Sequence, residues 1–133
     1  TPRDHLAVVT FGGRVCAVGG RRLSLAQNLG AFDCYDPGTD RWEAHPDLPT
    51  PRGGLGAAVL DGALYVAGGE QPFGTFREVE AFDGARWSRA PDLRTPRHGL
   101  SVASARGVLF VIAGGPTPGG SQTSVNEGLV VRT

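Results

Sequence analysis

Thr-Pro-Arg occurs three times in this 133-residue chain, at Thr1-Pro2-Arg3, Thr50-Pro51-Arg52 and Thr95-Pro96-Arg97. Other features keep step with it. A leucine follows each arginine at the third position (Leu6, Leu55, Leu100). Six residues later comes a turn: Gly12-Gly13, Asp61-Gly62, Arg106-Gly107. A short apolar run then ends in a glycine pair at Gly19-Gly20, Gly68-Gly69 and Gly114-Gly115. An aromatic-acid step (Tyr35-Asp36, Phe82-Asp83), a tryptophan (Trp42, Trp87) and Pro-Asp-Leu (Pro46 to Leu48, Pro91 to Leu93) complete the first two copies. A period of 45 to 49 residues dictates a row of similar units, each covering the apolar face of its neighbour.

Each copy reads as short strands. Leu6 to Thr10, Leu55 to Leu60 and Leu100 to Ala105 are rich in small apolar residues, which suits a crowded inner strand. Asp61-Gly62 is a two-residue hairpin signal, because both central residues of a type I′ turn need positive φ. Second strands follow at Val15 to Val18, Ala63 to Ala67 and Val108 to Ala113. The third copy carries one extra residue before its glycine pair, read as a bulge. A polar loop of about ten residues comes next. Third strands cover Ala31 to Tyr35, Val79 to Phe82 and Val125 to Val131, and fourth strands start at Trp42 and Trp87. No stretch holds a helical apolar period, so helix content near zero is expected. The third copy has no tryptophan strand, giving repeats of about 3–49, 52–94 and 97–133 in a single domain.

Four antiparallel strands in about 45 residues is the arithmetic of a β-propeller blade. The residues Ala63-Leu64-Tyr65-Val66-Ala67-Gly68-Gly69, Phe82-Asp83 and Trp87, and likewise Tyr35-Asp36 and Trp42, resemble the kelch repeat. The first copy departs by placing Cys16 where the motif has tyrosine. The third has Phe110 and Val111 there, shifted by the extra residue. The expectation is an all-β, kelch-type propeller fragment of about three blades, the third incomplete.

Propellers have 4 to 8 blades, and the kelch resemblance implies six or seven. Three blades leave an apolar face open at each end, and such patches mark interfaces. Two copies joined head to tail about a two-fold axis would make six blades. The alternative is one half of a longer propeller.

Balanced charge (13 basic, 13 acidic, pI about 6.8) gives no bulk case for nucleic acid or an anionic membrane. No apolar run nears the roughly 20 residues of a membrane span. No leader is visible at Thr1, which leans toward a cytoplasmic location. The absence of methionine reads as a trimmed chain, a processed product or a fragment. Cys16 and Cys34 read as buried free thiols, with a disulfide between neighbouring strands as the alternative, and neither has zinc-ligand spacing.

Catalytic constellations are nearly absent. No metalloprotease, nucleophile-elbow or phosphate-loop motif occurs, and no cofactor or metal is expected. His5, His45 and His98 lie beside turns. The copper-radical chemistry of galactose-oxidase-like propellers needs tyrosine, cysteine and histidine ligands, whereas Tyr35 and Tyr65 hold core phases. Asp33, Glu80 and Glu127 read as partners of buried turn groups or arginines rather than an acid–base pair.

Loops on a rigid scaffold carry function. By resemblance, the loops before the first strand and after the glycine pair share one propeller face. That places Arg3, Asp4, His5, Arg52, Arg97 and His98 there, with Arg21, Arg22, Glu70, Gln71 and Gln122. Arg3, Arg52 and Arg97 either ring a channel mouth and bind acidic peptides or anions, or pin the blades. The residues outside the repeat pattern, Arg21, Arg22, His5 and His98, are the better specificity candidates. The expected function is a non-enzymatic binding module for a peptide, protein or carbohydrate. Alternatives are part of a carbohydrate-active isomerase or oxidase, or an engineered or truncated half-propeller that self-assembles.

Overall fold

A computed structural model of the chain describes residues 1–130. Among them there is no helix, and the strands form three antiparallel sheets in a row plus a two-stranded ribbon. The first sheet runs β1 (Ala7–Phe11), β2 (Arg14–Val18), β3 (Phe32–Asp36), β4 (Arg41–Ala44), in that order. The second contains β5 (Gly56–Leu60) and β6 (Ala63–Ala67), followed in the chain by a ribbon of β7 (Glu70–Gln71) and β8 (Gly74–Thr75), then β9 (Val79–Phe82) and β10 (Trp87–Ala90). Its spatial order is β5-β6-β9-β10. The third has β11 (Ser101–Ala105), β12 (Val108–Ile112) and β13 (Asn126–Val130). The innermost strands stand side by side, with β5 touching both β1 and β11. This is a partial propeller: two four-stranded blades and one with three strands.

The predicted hairpin turns form as the sequence dictates. Asp61 and Gly62 take φ of 50° and 79°, and Arg106 and Gly107 take 50° and 75°. Leu6, Leu55 and Leu100 stand just before the inner strands rather than in them. Leu55 and Leu100 plug the gaps between blades.

Alternation within β6 shows how the row coheres. Leu64 and Val66 face blade 1 and join Ala7, Cys16, Val18, Phe32, Leu48, Leu55 and Phe82 in one core cluster. Tyr65 and Ala67 face blade 3 and join Ala58, Leu60, Val79, Leu93, Leu100, Leu109 and Val111. A strand buried on both faces reads as a continuous apolar run, which explains Ala-Leu-Tyr-Val-Ala. The first cluster is aromatic at its outer end, where Phe32, Phe82 and Trp87 meet at 5.0 to 5.4 Å. Close approach of the inner strands requires Gly56, where an added Cβ would sit 2.5 Å from Val102 Cγ2.

Three expectations change. Cys16 and Cys34 are not free thiols but a disulfide, because β2 and β3 pair them directly across the ladder. The extra residue of the third repeat is not a bulge, because β12 pairs with β11 without interruption from Ala105↔Val108 to Ser101↔Ile112. Ala113 instead occupies the position of Gly19 and Gly68, in the same left-handed conformation (φ 57°, against 69° and 72°). Phe110 therefore lies in phase with Tyr65, unshifted. The polar loop of blade 2 contains the β7–β8 ribbon. The predicted third strand of the last repeat is observed as β13, and Val131 lies outside the described residues.

Each end of the row exposes apolar side chains. Val8, Val15 and Trp42 stand on the open face of blade 1. Phe110, Ile112 and Val130 stand on that of blade 3.

Candidate functional site

Antiparallel pairing puts the chain entering each inner strand beside the chain leaving the second strand, at the end opposite the hairpin turns. These entry and exit loops form one rim, where Gly54 N–H donates to His5 C=O and Gly99 N–H to Gly54 C=O, both at 2.8 Å.

The three repeated arginines brace this rim from within. Arg52 is fully buried. It donates to the carbonyls of Gly68 (3.0 Å) and Glu78 (2.5 Å) and to Glu80 Oε1 (2.6 Å). Its guanidinium also lies 5.9 Å from the centroid of the Phe76 ring. Burial pulls the Arg52 pKa down, while the charge and hydrogen bonds of Glu80 oppose the shift. Arg97, also buried, repeats the pattern with the carbonyls of Ala113 and Val125 and with Glu127 Oε2 at 2.8 Å. Arg3 does the same with Gly19, Ala17 and Asp33. Asp33, Glu80 and Glu127 are thus arginine partners on the third strands. Arg52 and Arg97 present no free guanidinium to a channel mouth. Each ties the chain entering a blade to that blade's second and third strands.

Residues outside the repeat make a second network above this one. Glu70, 3% exposed, reaches from blade 2 to both neighbours. Its Oε1 accepts from Arg21 Nη1 of blade 1 at 2.9 Å. Its Oε2 accepts from Gly119 N–H at 2.9 Å and lies 3.3 Å from His98 Nε2, both in blade 3. Arg21 also donates to His5 Nε2 (3.0 Å) and contacts Asp4 Oδ1 (3.4 Å). Because His5 Nε2 accepts there, the hydrogen-bond pattern assigns its proton to Nδ1, which donates to Asp4 Oδ1 at 2.7 Å. Asn28 joins the loops as well, donating to Glu70 C=O and accepting from Gly53 N–H. Both oxygens of the buried Glu70 carboxylate are thus partnered, one in each neighbouring blade.

The expected site residues therefore divide. His5, Arg21 and His98 come together around Glu70. Arg22, Gln71 and Gln122 are exposed, and among the described residues their side chains make no hydrogen bond. Sequence reasoning missed two others. Leu23 is 94% exposed, with φ 61°, and Phe73 is 97% exposed at the tip of the β7–β8 ribbon. Each springs from a loop anchored by the Arg21–Glu70 pair. Their only sequence signal is an apolar residue at the centre of a polar loop.

A shallow depression of about 490 Å³ lies beside Leu23, lined by Pro2, Arg3, Asp4, Arg21, Arg22 and Leu23. A larger one of about 550 Å³, including Leu6, Ala17, Asp33 and Trp42, lies on the open face of blade 1, where a preceding blade would stand. Among the described residues, no three His, Cys, Asp or Glu side chains converge to hold a metal.

Comparison with known proteins agrees with this architecture. Residues 2–49 match the Kelch motif. Kelch-like ECH-associated protein 1A of Danio rerio is 39% identical over 71 residues, covering 52% of this chain and 12% of that protein. An F-box/kelch-repeat protein of Arabidopsis thaliana is 31% identical over 83 residues, covering 62% and 22%. The human influenza virus NS1A-binding protein is 37% identical over 67 residues, covering 50% and 10%. The chain thus spans between about a tenth and a fifth of the length of these curated relatives. The solved structure of YjhT superposes with a TM-score of 0.80 at 18% identity, covering 93% of this chain and 42% of that one. Fold and repeat define the class: a segment of β-propeller. Residues 2–49 carry the kelch motif, and the chain is similar over about half its length to kelch-repeat proteins.

Proposed function

We propose that this chain is a non-catalytic binding module that offers its loop rim to a protein or peptide. One observation carries the reading. Leu23 and Phe73 stand almost wholly in solvent above a charged network contributed by all three blades. Large apolar side chains on a rigid base serve as interface anchors, and Arg22 and Gln71 beside them supply free donors. The name of the human NS1A-binding protein supports the same direction. We further propose the open end faces as assembly surfaces, for a second copy or for the remaining half of a longer chain.

The test is selection of binders from a random peptide library against the 133-residue chain. Phe73→Ala and Arg22→Ala should weaken the selected peptides about tenfold each, as truncating an interface anchor does. Asp61→Ala, at a hairpin turn on the opposite side, should change nothing. Binders sensitive only to Asp61→Ala, or no binders at all, would refute the proposal.

A further inference from the structure

The contacts between blades show what each end face lacks. Gly54 N–H donates to His5 C=O, and one blade further Gly99 N–H donates to Gly54 C=O. Gly20 N–H donates to Arg52 C=O at 2.8 Å, and Gly69 N–H to Arg97 C=O at 2.9 Å. Between the inner strands, Ser104 Oγ donates to Val59 C=O at 2.6 Å. Pairing register fixes the equivalences: His5, Gly54 and Gly99; Arg3, Arg52 and Arg97; Gly20, Gly69 and Gly114; Thr10, Val59 and Ser104.

One more step along the row leaves a matched remainder. Blade 1 presents the His5 N–H, the Arg3 C=O and the Thr10 hydroxyl. Blade 3 presents the Gly99 C=O, the Gly114 N–H and the Ser104 C=O. Among the described residues none of the six makes the corresponding bond. Every donor at one end has its acceptor at the other. The exposed apolar residues correspond too. Val8 and Val15 hold the positions of Ala57 and Leu64, and Phe110 and Ile112 hold those of Tyr65 and Ala67, all four of which are packed in the interior clusters.

We propose that the open face of blade 1 binds the open face of blade 3 of a second copy of this chain. Two such seams about a two-fold axis close a ring of six blades. The occupant follows from continuity with the interior interface, since a blade-3 face continues the same register without change. The outer rim stays open. Trp87 Nε1 donates to Pro46 C=O at the exit of the preceding fourth strand, and blade 3 has no fourth strand among the described residues to serve Trp42. The pairing is independent of what the loop rim binds.

The test uses the 133-residue chain itself. Light scattering should give twice 13.9 kDa. Thr10→Cys combined with Ala103→Cys, which shares the open face of blade 3 with its ladder partner Phe110, should give a covalent dimer on mild oxidation, resolved on a non-reducing gel, since both sites are exposed within one copy. Val8→Lys should return the protein to 13.9 kDa with its circular dichroism unchanged. A mass of 13.9 kDa at every concentration reached, as expected if further blades of a longer chain cover these faces, overturns the proposal. A ladder of cross-linked species beyond the dimer overturns it as well, because a closed pair has no free end.

Discussion

Arg52 holds four acceptors with one planar head: the Thr50, Gly68 and Glu78 carbonyls and the Glu80 carboxylate. Lysine cannot reproduce that fork, and an apolar substitute leaves Glu80 buried without its charge partner. Arg52→Met should therefore cost about 3–5 kcal/mol in urea unfolding. A loss below about 1 kcal/mol would place the residue among surface pairs instead. Ala113 carries the opposite lesson. It sits in the left-handed region where its counterparts are glycines, a conformation that costs an L-residue about 1–2 kcal/mol. Ala113→Gly should raise stability by about 0.5–1 kcal/mol after the unfolded chain's added freedom is counted. The repeated arginines were visible in the sequence, but not which way they point. Direction depends on carbonyls and carboxylates brought in from residues 14 to 30 positions away, which spacing does not display. The misplaced glycine pair arose because Gly114-Gly115 resembles the motif better than Ala113-Gly114, although the backbone uses the latter.

Among the elements, blade 1 alone joins its second and third strands covalently. The bond closes a separation of 18 residues around the loop that carries Arg21, Leu23 and Asn28. Replacing Cys16 and Cys34 by alanine should cost about 3 kcal/mol, read as a drop in Tm. An unchanged Tm would show that packing against Phe32 suffices. Blade 3 is fastened at its third strand by Glu127. Burial raises the pKa of that carboxyl, but the Arg94 amide, the Arg97 guanidinium and the Thr95 amide outweigh it and hold the value below the ordinary 4.5. A carboxylate depressed in the folded state stabilises above its unfolded pKa, and the benefit is lost as pH falls through the folded value. Tm should accordingly decline below about pH 4.5, and Glu127→Gln should flatten that decline. An acid profile identical in the variant would remove Glu127 from the account. The main strands were legible because apolar runs, turns and glycines agree in phase. The β7–β8 ribbon was not, since two-residue strands around Pro72 carry no periodicity. The disulfide was legible only as an alternative, because strand register decides whether two cysteines face each other.

The whole molecule is a row of blades whose constant residues build and whose variable residues face outward. Repetition revealed the row of propeller blades. The rim was legible in outline, since His5, Arg21 and His98 do gather there. Glu70 as their common partner was not, because its contacts lie 49 residues away toward blade 1 and again toward blade 3. Glu70→Gln should uncouple the rim loops and broaden their amide signals while leaving β6 and β9 protected from hydrogen exchange; loss of protection throughout would make it a pillar of the fold instead. The most direct test of the account is an amide chemical-shift map of the chain titrated with a library-selected peptide. Shifts should cluster at residues 20–28, 70–75 and 115–122. Shifts clustered at the hairpin turns, residues 12–13, 61–62 and 106–107, would contradict it.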